Sequence, residues 1–245
     1  MTECIEKLGE SVIVYDDSLV SQISEALFDP LSWDAAVPVA GVAGGRGTTL
    51  FVQHGGQDWV LKHYHRGGTV MRILRDQFLW TGWESTRPMR EWRLLSHLQK
   101  LGLPAPVPVA ARCVRGSVYY SADLITQCLP GVVPFSSWLQ QDGTGEEQWY
   151  AVGKCIARFH AARVFHADLS AHNIQVDAAG RVYLLDFDRG RIMRSDGRWR
   201  DNNLARLQRS LHKIRDNSNI DFGASQWQVL LKGYQQSSAA ASQRE

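Results

Sequence analysis

Three polar side chains in the stretch 166–188, HADLSAHNIQVDAAGRVYLLDFD, are the residues most able to do chemistry. Asp168 sits in a short loop after an apolar segment, Asn173 follows five residues on, and Asp186 ends the next apolar run. Between the last two, Ile174-Gln175-Val176 and Arg181 to Leu185 read as short strands, joined by Asp177-Ala178-Ala179-Gly180 as a hairpin turn. A hairpin brings its ends together, so Asn173 and Asp186 are expected to be neighbours, with Asp168 facing the same space. Two carboxylates and an amide oxygen around a small gap repel one another unless a cation joins them. A hard divalent ion such as Mg²⁺ suits that set, because it takes few protein oxygens and completes its shell with water and phosphate. Taken singly, each of the three is also an ordinary turn residue, since Asp and Asn bond their own backbone.

The elements that position this stretch follow from pattern. Ser11–Tyr15 reads as a strand and Ser18–Leu27 as a short amphipathic helix stopped by Asp29-Pro30. A glycine cluster, Gly44-Gly45-Arg46-Gly47, precedes the strand-like Leu50-Phe51-Val52; such a turn lets backbone N–H groups approach phosphate, and is usually only a hairpin turn. Lys62 lies inside the apolar strand Asp58–Tyr64, where it either snorkels from an exposed face or meets an anion. Thr86-Arg87-Pro88 starts a helix over Met89–Gln99, with Glu91 in its first turn, a place that favours an acid in any case. Strands Val109–Arg115 and Val118–Ile125 follow, and Gln127–Gly131 breaks the pattern. Beyond it, Val133–Gln140, Glu146–Ala161, Asn203–Ile214 and Gln226–Gln235 read as helices. Three segments result: a β-rich lobe over 1–127, a mainly helical lobe over 128–236, and a polar, disordered tail over 237–245.

Composition narrows the class. The 245 residues have the apolar and charged fractions of an ordinary globular protein, and a net charge of +2 gives no case for nucleic acid. Four scattered cysteines with no C-x-x-C pair fit reduced thiols. The first residues, MTECIEKLGE, lack the pattern of a signal peptide, and no apolar run approaches the roughly 20 residues that cross a bilayer. The expected location is the cytoplasm or the inner surface of a membrane. Residues 65–86 mix arginines with Phe78, Leu79, Trp80 and Trp83, and five more arginines lie between 189 and 200. The first segment, with apolar residues on one helical face from Val70 to Phe78, reads either as a packed helix with solvated arginines or as a surface for an anionic, lipid-bearing substrate.

The order glycine turn, Lys62, Glu91, His166-x-Asp168-x4-Asn173 and Asp186-Phe187-Asp188 resembles the protein-kinase-like superfamily. The Gly45–Thr49 and Leu61–Gly68 segments, the Asp76-Gln77-Phe78…Thr81-Gly82…Thr86-Arg87 insert and the Ala171-His172-Asn173 sequence narrow the likeness. They resemble the 3-deoxy-D-manno-octulosonic acid (Kdo) kinases of lipopolysaccharide core synthesis, over roughly residues 40–215. The resemblance implies an α+β bilobal kinase fold. It implies Asp168 as the base that accepts the sugar hydroxyl proton, Asn173 and Asp186 as Mg²⁺ ligands, and Gly45, Arg46, Gly47 and Lys62 as contacts to ATP. Glu91 would orient Lys62 and Phe187 would pack under the metal loop. His166 would anchor its loop, and the roles of His172 and Asp188 stay open. The reaction implied is transfer from ATP to the 4-hydroxyl of Kdo on a lipid A precursor, at the cytoplasmic face of the inner membrane. Asp188 replaces the usual glycine after Asp-Phe, and no Ala-Pro-Glu follows, which argues against a protein substrate. Two rivals are an aminoglycoside- or choline-type kinase, and a nucleotide-binding pseudokinase docked at a membrane.

Overall fold

The computed structural model describes residues 2–33, 35–38, 47–64, 78–140, 145–218 and 220–242. The chain forms two compact units, Met1–Ser96 with Pro106–Cys128, and His97–Ala105 with Leu129–Glu245.

The first unit is built on one antiparallel sheet. Its strands are β1 (Glu3–Leu8), β2 (Ser11–Asp16), β3 (Ala35–Pro38), β4 (Gly47–His54), β5 (Gln57–Tyr64), β6 (Phe78–Leu79), β7 (Pro108–Arg115) and β8 (Tyr119–Gln127), and helix α1 (Arg87–Lys100) lies between β6 and β7 in sequence. The order is β1-β2-β7-β8-β5-β4-β3, with β6 on β8. Alternation along β5 sends Trp59 and Leu61 into a core with Ile13, Val52 and Ile125. Lys62 and Tyr64 point to the opposite face, toward Glu91 of α1. The segment 18–33 adds Val20, Ile23, Leu27, Phe28 and Trp33 to the Trp59 core.

That segment departs from the expected helix. Asp16 accepts bonds from the Ser18 amide and hydroxyl, and its carbonyl takes the Leu19 and Val20 amides, so the chain turns there. In place of the helix, Glu25–Phe28 and Pro30–Ser32 close into short 3-10 turns. Burial of the apolar residues outweighs their helical spacing.

The second unit holds β9 (Val132–Pro134), α2 (Phe135–Trp138), α3 (Glu146–Ala161), β10 (Val164–Phe165), β11 (Ile174–Asp177), β12 (Val182–Leu184), β13 (Arg191–Ile192), α4 (Trp199–Ser218) and α5 (Ala224–Ser242). The first of the helices expected here is mostly absent. Val132 and Val133 pair with Asp177 and Val176, and Pro134, which disfavours helix at the residue before it, leaves only one turn after it. At the other end, α5 runs on through Ser242 where a disordered tail from 237 was expected. Ala239-Ala240-Ala241 is a strong helix former, and Ser238 returns its hydroxyl to the Tyr234 carbonyl.

Helices α3 and α5 cross backbone against backbone. A Cβ on Gly153 would lie 1.9 Å from the Leu230 carbonyl oxygen, and one on Gly233 would lie 2.2 Å from that of Tyr150. The crossing therefore admits no side chain at either point. Trp149, stacked on Phe222 and edge-on to Phe135, fills the space beside it. Helix α3 then delivers the chain through β10 to His166.

Candidate active site

In the first unit, Lys62 and Glu91 form an ion pair with Nζ 3.2 Å from Oε2. Glu91 is almost wholly buried, its side chain 3% exposed against 23% for Lys62. The Tyr64 hydroxyl, two residues along the same face of β5, donates to the same carboxylate at 2.5 Å. The Lys62 ammonium also lies 4.7 Å from the centre of the Tyr64 ring. A buried carboxylate needs such partners, because an unpaired one is costly to desolvate. The expected Lys62–Glu91 pairing is therefore present, although the sequence between them is long. Gly47 opens β4 opposite Tyr64 in the ladder. Gly45 and Arg46 lie outside the described residues, as does residue 65–77 of the insert. Phe78, expected at the end of an insert helix, stands instead in β6 opposite Tyr120.

In the second unit, β11 and β12 pair as the hairpin reading requires, Ile174 opposite Leu184 and Val176 opposite Val182. The ladder extends one step further, with the Leu185 amide donating to the Asn173 carbonyl at 2.8 Å. Asn173 and Asp186 thus leave the hairpin side by side. Asp186 has φ +60°, the left-handed region a non-glycine residue adopts only where its surroundings impose it. Immediately after it, Phe187 is buried and stacks on Phe159 and against His166.

The Asn173 side-chain amide nitrogen donates to the Asp168 carbonyl at 2.8 Å. That bond orients the amide and leaves its oxygen as the end a cation would meet. The Asn173 amide oxygen and the Asp186 carboxylate are hard donors of the kind Mg²⁺ accepts.

His166 is a loop anchor. Its Nδ1 accepts the Asp168 amide at 3.1 Å, and Nε2 donates to the Leu185 carbonyl at 2.8 Å. Burial pushes the imidazole below its ordinary pKa, against the opposing effects of the Leu185 bond and the nearby Asp186 and Asp168 charges. A neutral ring with both nitrogens engaged is positioned to hold, not to exchange, a proton. His172 is exposed and its carbonyl accepts from Gln175 at 3.2 Å.

Helix α4 contributes three side chains that sequence reasoning gave no role. Asn203, 2% exposed, accepts the His166 amide and donates to the His166 carbonyl, at 3.2 and 2.8 Å. Ser210 accepts the Ala171 amide at 3.3 Å. Arg206 places Nε 2.9 Å from Oδ1 of Asp168, and one of its terminal nitrogens bonds the same oxygen. Positions 203, 206 and 210 fall on one helix face, and the loop runs along it. Behind Asn203, His160 lies between Tyr234 and Asn203, and burial pushes its pKa down to about 4. The helical spacing of 203, 206 and 210 was legible, but nothing in it says which loop the face meets.

A buried lysine–glutamate clamp on a sheet, and a hairpin flanked by a catalytic-type Asp loop and a second acidic residue, are parts of a protein-kinase-like phosphotransferase. The profile of the lipopolysaccharide kinase (Kdo/WaaP) family matches residues 32–234, and the chain belongs to that family. A 3-deoxy-D-manno-octulosonic acid kinase of Photobacterium profundum is 40% identical over 223 residues, covering 91% of this chain and 94% of the relative. Kinases of the same name from Xanthomonas euvesicatoria and Vibrio vulnificus are 42% and 37% identical, over 94% of this chain and 92% and 97% of theirs. Among solved structures, the bifunctional kinase-methyltransferase WbdD overlays 84% of this chain and 47% of its own, with 18% identity and a TM-score of 0.47.

Proposed function

We propose that this chain transfers the γ-phosphoryl group of ATP to the 4-hydroxyl of a Kdo residue carried on a lipid A precursor. The observation that carries the reading is the Asp168 loop, held from both sides by His166 and Asn203, in a chain that aligns nearly end to end with Kdo kinases. The sugar oxygen forms a bond to the γ-phosphorus as the bond from that phosphorus to the β,γ-bridging oxygen breaks, releasing ADP. The hydroxyl proton passes to the Asp168 carboxylate. Lys62, fixed by Glu91, binds phosphate oxygens. Asn173 and Asp186 would hold Mg²⁺, which supplies charge neutralisation for the β- and γ-phosphates. Such transfer needs little covalent help from protein; alignment and electrostatics carry most of the barrier reduction.

On this reading the enzyme works as a peripheral protein at the cytoplasmic face of the inner membrane, where such an acceptor would be met. No described helix is long and apolar enough to cross a bilayer. Exposed Arg189, Arg191, Arg194 and Arg198 support the anionic-surface reading, at roughly 1 kcal/mol per basic residue near such a membrane. Arg200 does not add to it, since it is bound to the His160 carbonyl and to Asp196.

The test is incubation with ATP, Mg²⁺ and Kdo-bearing lipid A precursor, followed by mass spectrometry. One added phosphate on Kdo, lost when Mg²⁺ is chelated, is the expected result. Phosphorylation of an aminoglycoside or choline with none on Kdo overturns the reading. Flotation with anionic liposomes is expected to carry the protein upward; a wholly soluble fraction removes the membrane part.

A further inference from the structure

Of the three α4 side chains that meet the catalytic loop, Asn203 is buried and Ser210 half-buried, and both bond the loop through its backbone alone. These two fix the path of the loop. Arg206 differs on each point. Its side chain is 46% exposed, and it bonds the reactive carboxylate of Asp168, itself 54% exposed. An ion pair so open to water is a weak structural device. Both of its bonds converge on the single oxygen Oδ1, using two of the five guanidinium N–H donors. Among the described residues the other carboxylate oxygen has no partner and can take a proton, and three donors remain on a guanidinium side chain nearly half exposed.

A sugar acid makes an electrostatic problem for this loop. To place its hydroxyl at Asp168, it must bring its own carboxylate toward the carboxylate that acts as base. Like charges at such range repel, and a fixed cation between them removes the penalty. A guanidinium matches a carboxylate through two parallel bonds, which a lysine ammonium does not reproduce.

We propose that Arg206 is the residue that reads the carboxylate of the acceptor, joining it to Asp168 so that the sugar acid, and not its neutral analogue, is aligned for transfer. This rests on the Kdo reading above. Arg206 accordingly sets acceptor specificity as well as the position of Asp168, and its contribution is felt in acceptor binding far more than in ATP binding.

The test is a cycle between enzyme and substrate. Kinetics are measured for wild type, Arg206→Lys and Arg206→Ala with the Kdo-bearing lipid A precursor and with the same lipid whose Kdo carboxyl is converted to the amide. Wild type is expected to favour the acid by about 10- to 100-fold in kcat/KM, the scale of hydrogen bonds to a charged group. Arg206→Ala is expected to erase that preference mainly through acceptor KM, with KM for ATP unmoved, and Arg206→Lys to retain part of it. If Arg206→Ala lowers kcat/KM equally for acid and amide, Arg206 only orients Asp168 and the proposal fails. A wild type that favours neither acceptor also overturns it. A wild type that phosphorylates neither overturns the Kdo reading itself, a result separable from both.

Discussion

The ion pairs of the two units are built on opposite plans. Lys62–Glu91 has its carboxylate 3% exposed and a tyrosine hydroxyl locked onto it. Arg206–Asp168 stands about half in water on both sides. The loop that carries Asp168 is held instead by uncharged groups: the Asn203 amide, a neutral His166, and His160 behind them. The difference suits the role proposed for each pair. A lysine that grips phosphate works best when fixed before the ligand arrives, and burial with an extra donor achieves that. A carboxylate that must receive a proton and admit an anionic acceptor needs a counter-charge able to exchange partners. Neutral anchors let the loop be rigid without placing immobile charge beside it.

The largest break in this contrast comes from Asp168→Ala. Turnover is expected to fall on the order of 10²- to 10⁴-fold, the usual contribution of a positioned general base. Steady-state assay reads it, and undiminished kcat removes Asp168 from the chemistry.

Stability separates the pairs next. Glu91→Ala strands an ammonium beside a buried tyrosine hydroxyl and is expected to cost about 2–4 kcal/mol, below the full cost of breaking a wholly buried pair because Lys62 is partly exposed. Arg206→Ala is expected to cost no more than about 1 kcal/mol, as for exposed pairs generally. Urea unfolding of both variants measures the gap; equal losses would erase the distinction.

Acid should strike the neutral anchors. His160 has its pKa pushed down to about 4, chiefly by burial, so the folded chain binds fewer protons there than the unfolded chain. Its contribution is fully present above the unfolded value near 6.5 and is lost as pH falls through about 4. A melting temperature that drops over that window, and drops less in His160→Gln, is the expected outcome. The effect amounts to at most about 3 kcal/mol. A slope identical in the variant would assign the acid sensitivity elsewhere.

Within the lysine clamp, Tyr64→Phe removes one bond to a charged acceptor and should cost about 1–2 kcal/mol. A rise in KM for ATP without loss of acceptor binding would show that the hydroxyl serves the lysine clamp. No change in stability or KM would make it incidental.

How much of this could be read from the chain depends on the range of each contact. The hairpin at 174–184 was legible because turn residues and two apolar runs specify it locally, and its closure places Asn173 beside Asp186. Lys62 and Glu91 were legible only through a known motif order, since 29 residues separate them. Asn203 and Arg206 were not legible, because their partners lie 37 and 38 residues back and a helix face does not announce its neighbour. The helix expected at 18–27 failed for the converse reason. Its apolar spacing was real, but the Asp16 turn and a waiting core satisfied it without helical backbone.

The α4 face has a mechanical corollary. Successive helical residues turn by about 100°, so side chains at 203, 206 and 210 keep a common bearing only while the count between them is intact. One residue inserted between Asn203 and Arg206 would leave the loop tethered at His166 while swinging the guanidinium away from Asp168 and the serine away from Ala171. The helix is a dial as well as a support: its phase, and not only its presence, decides whether the loop's anchor and its movable charge address the same place.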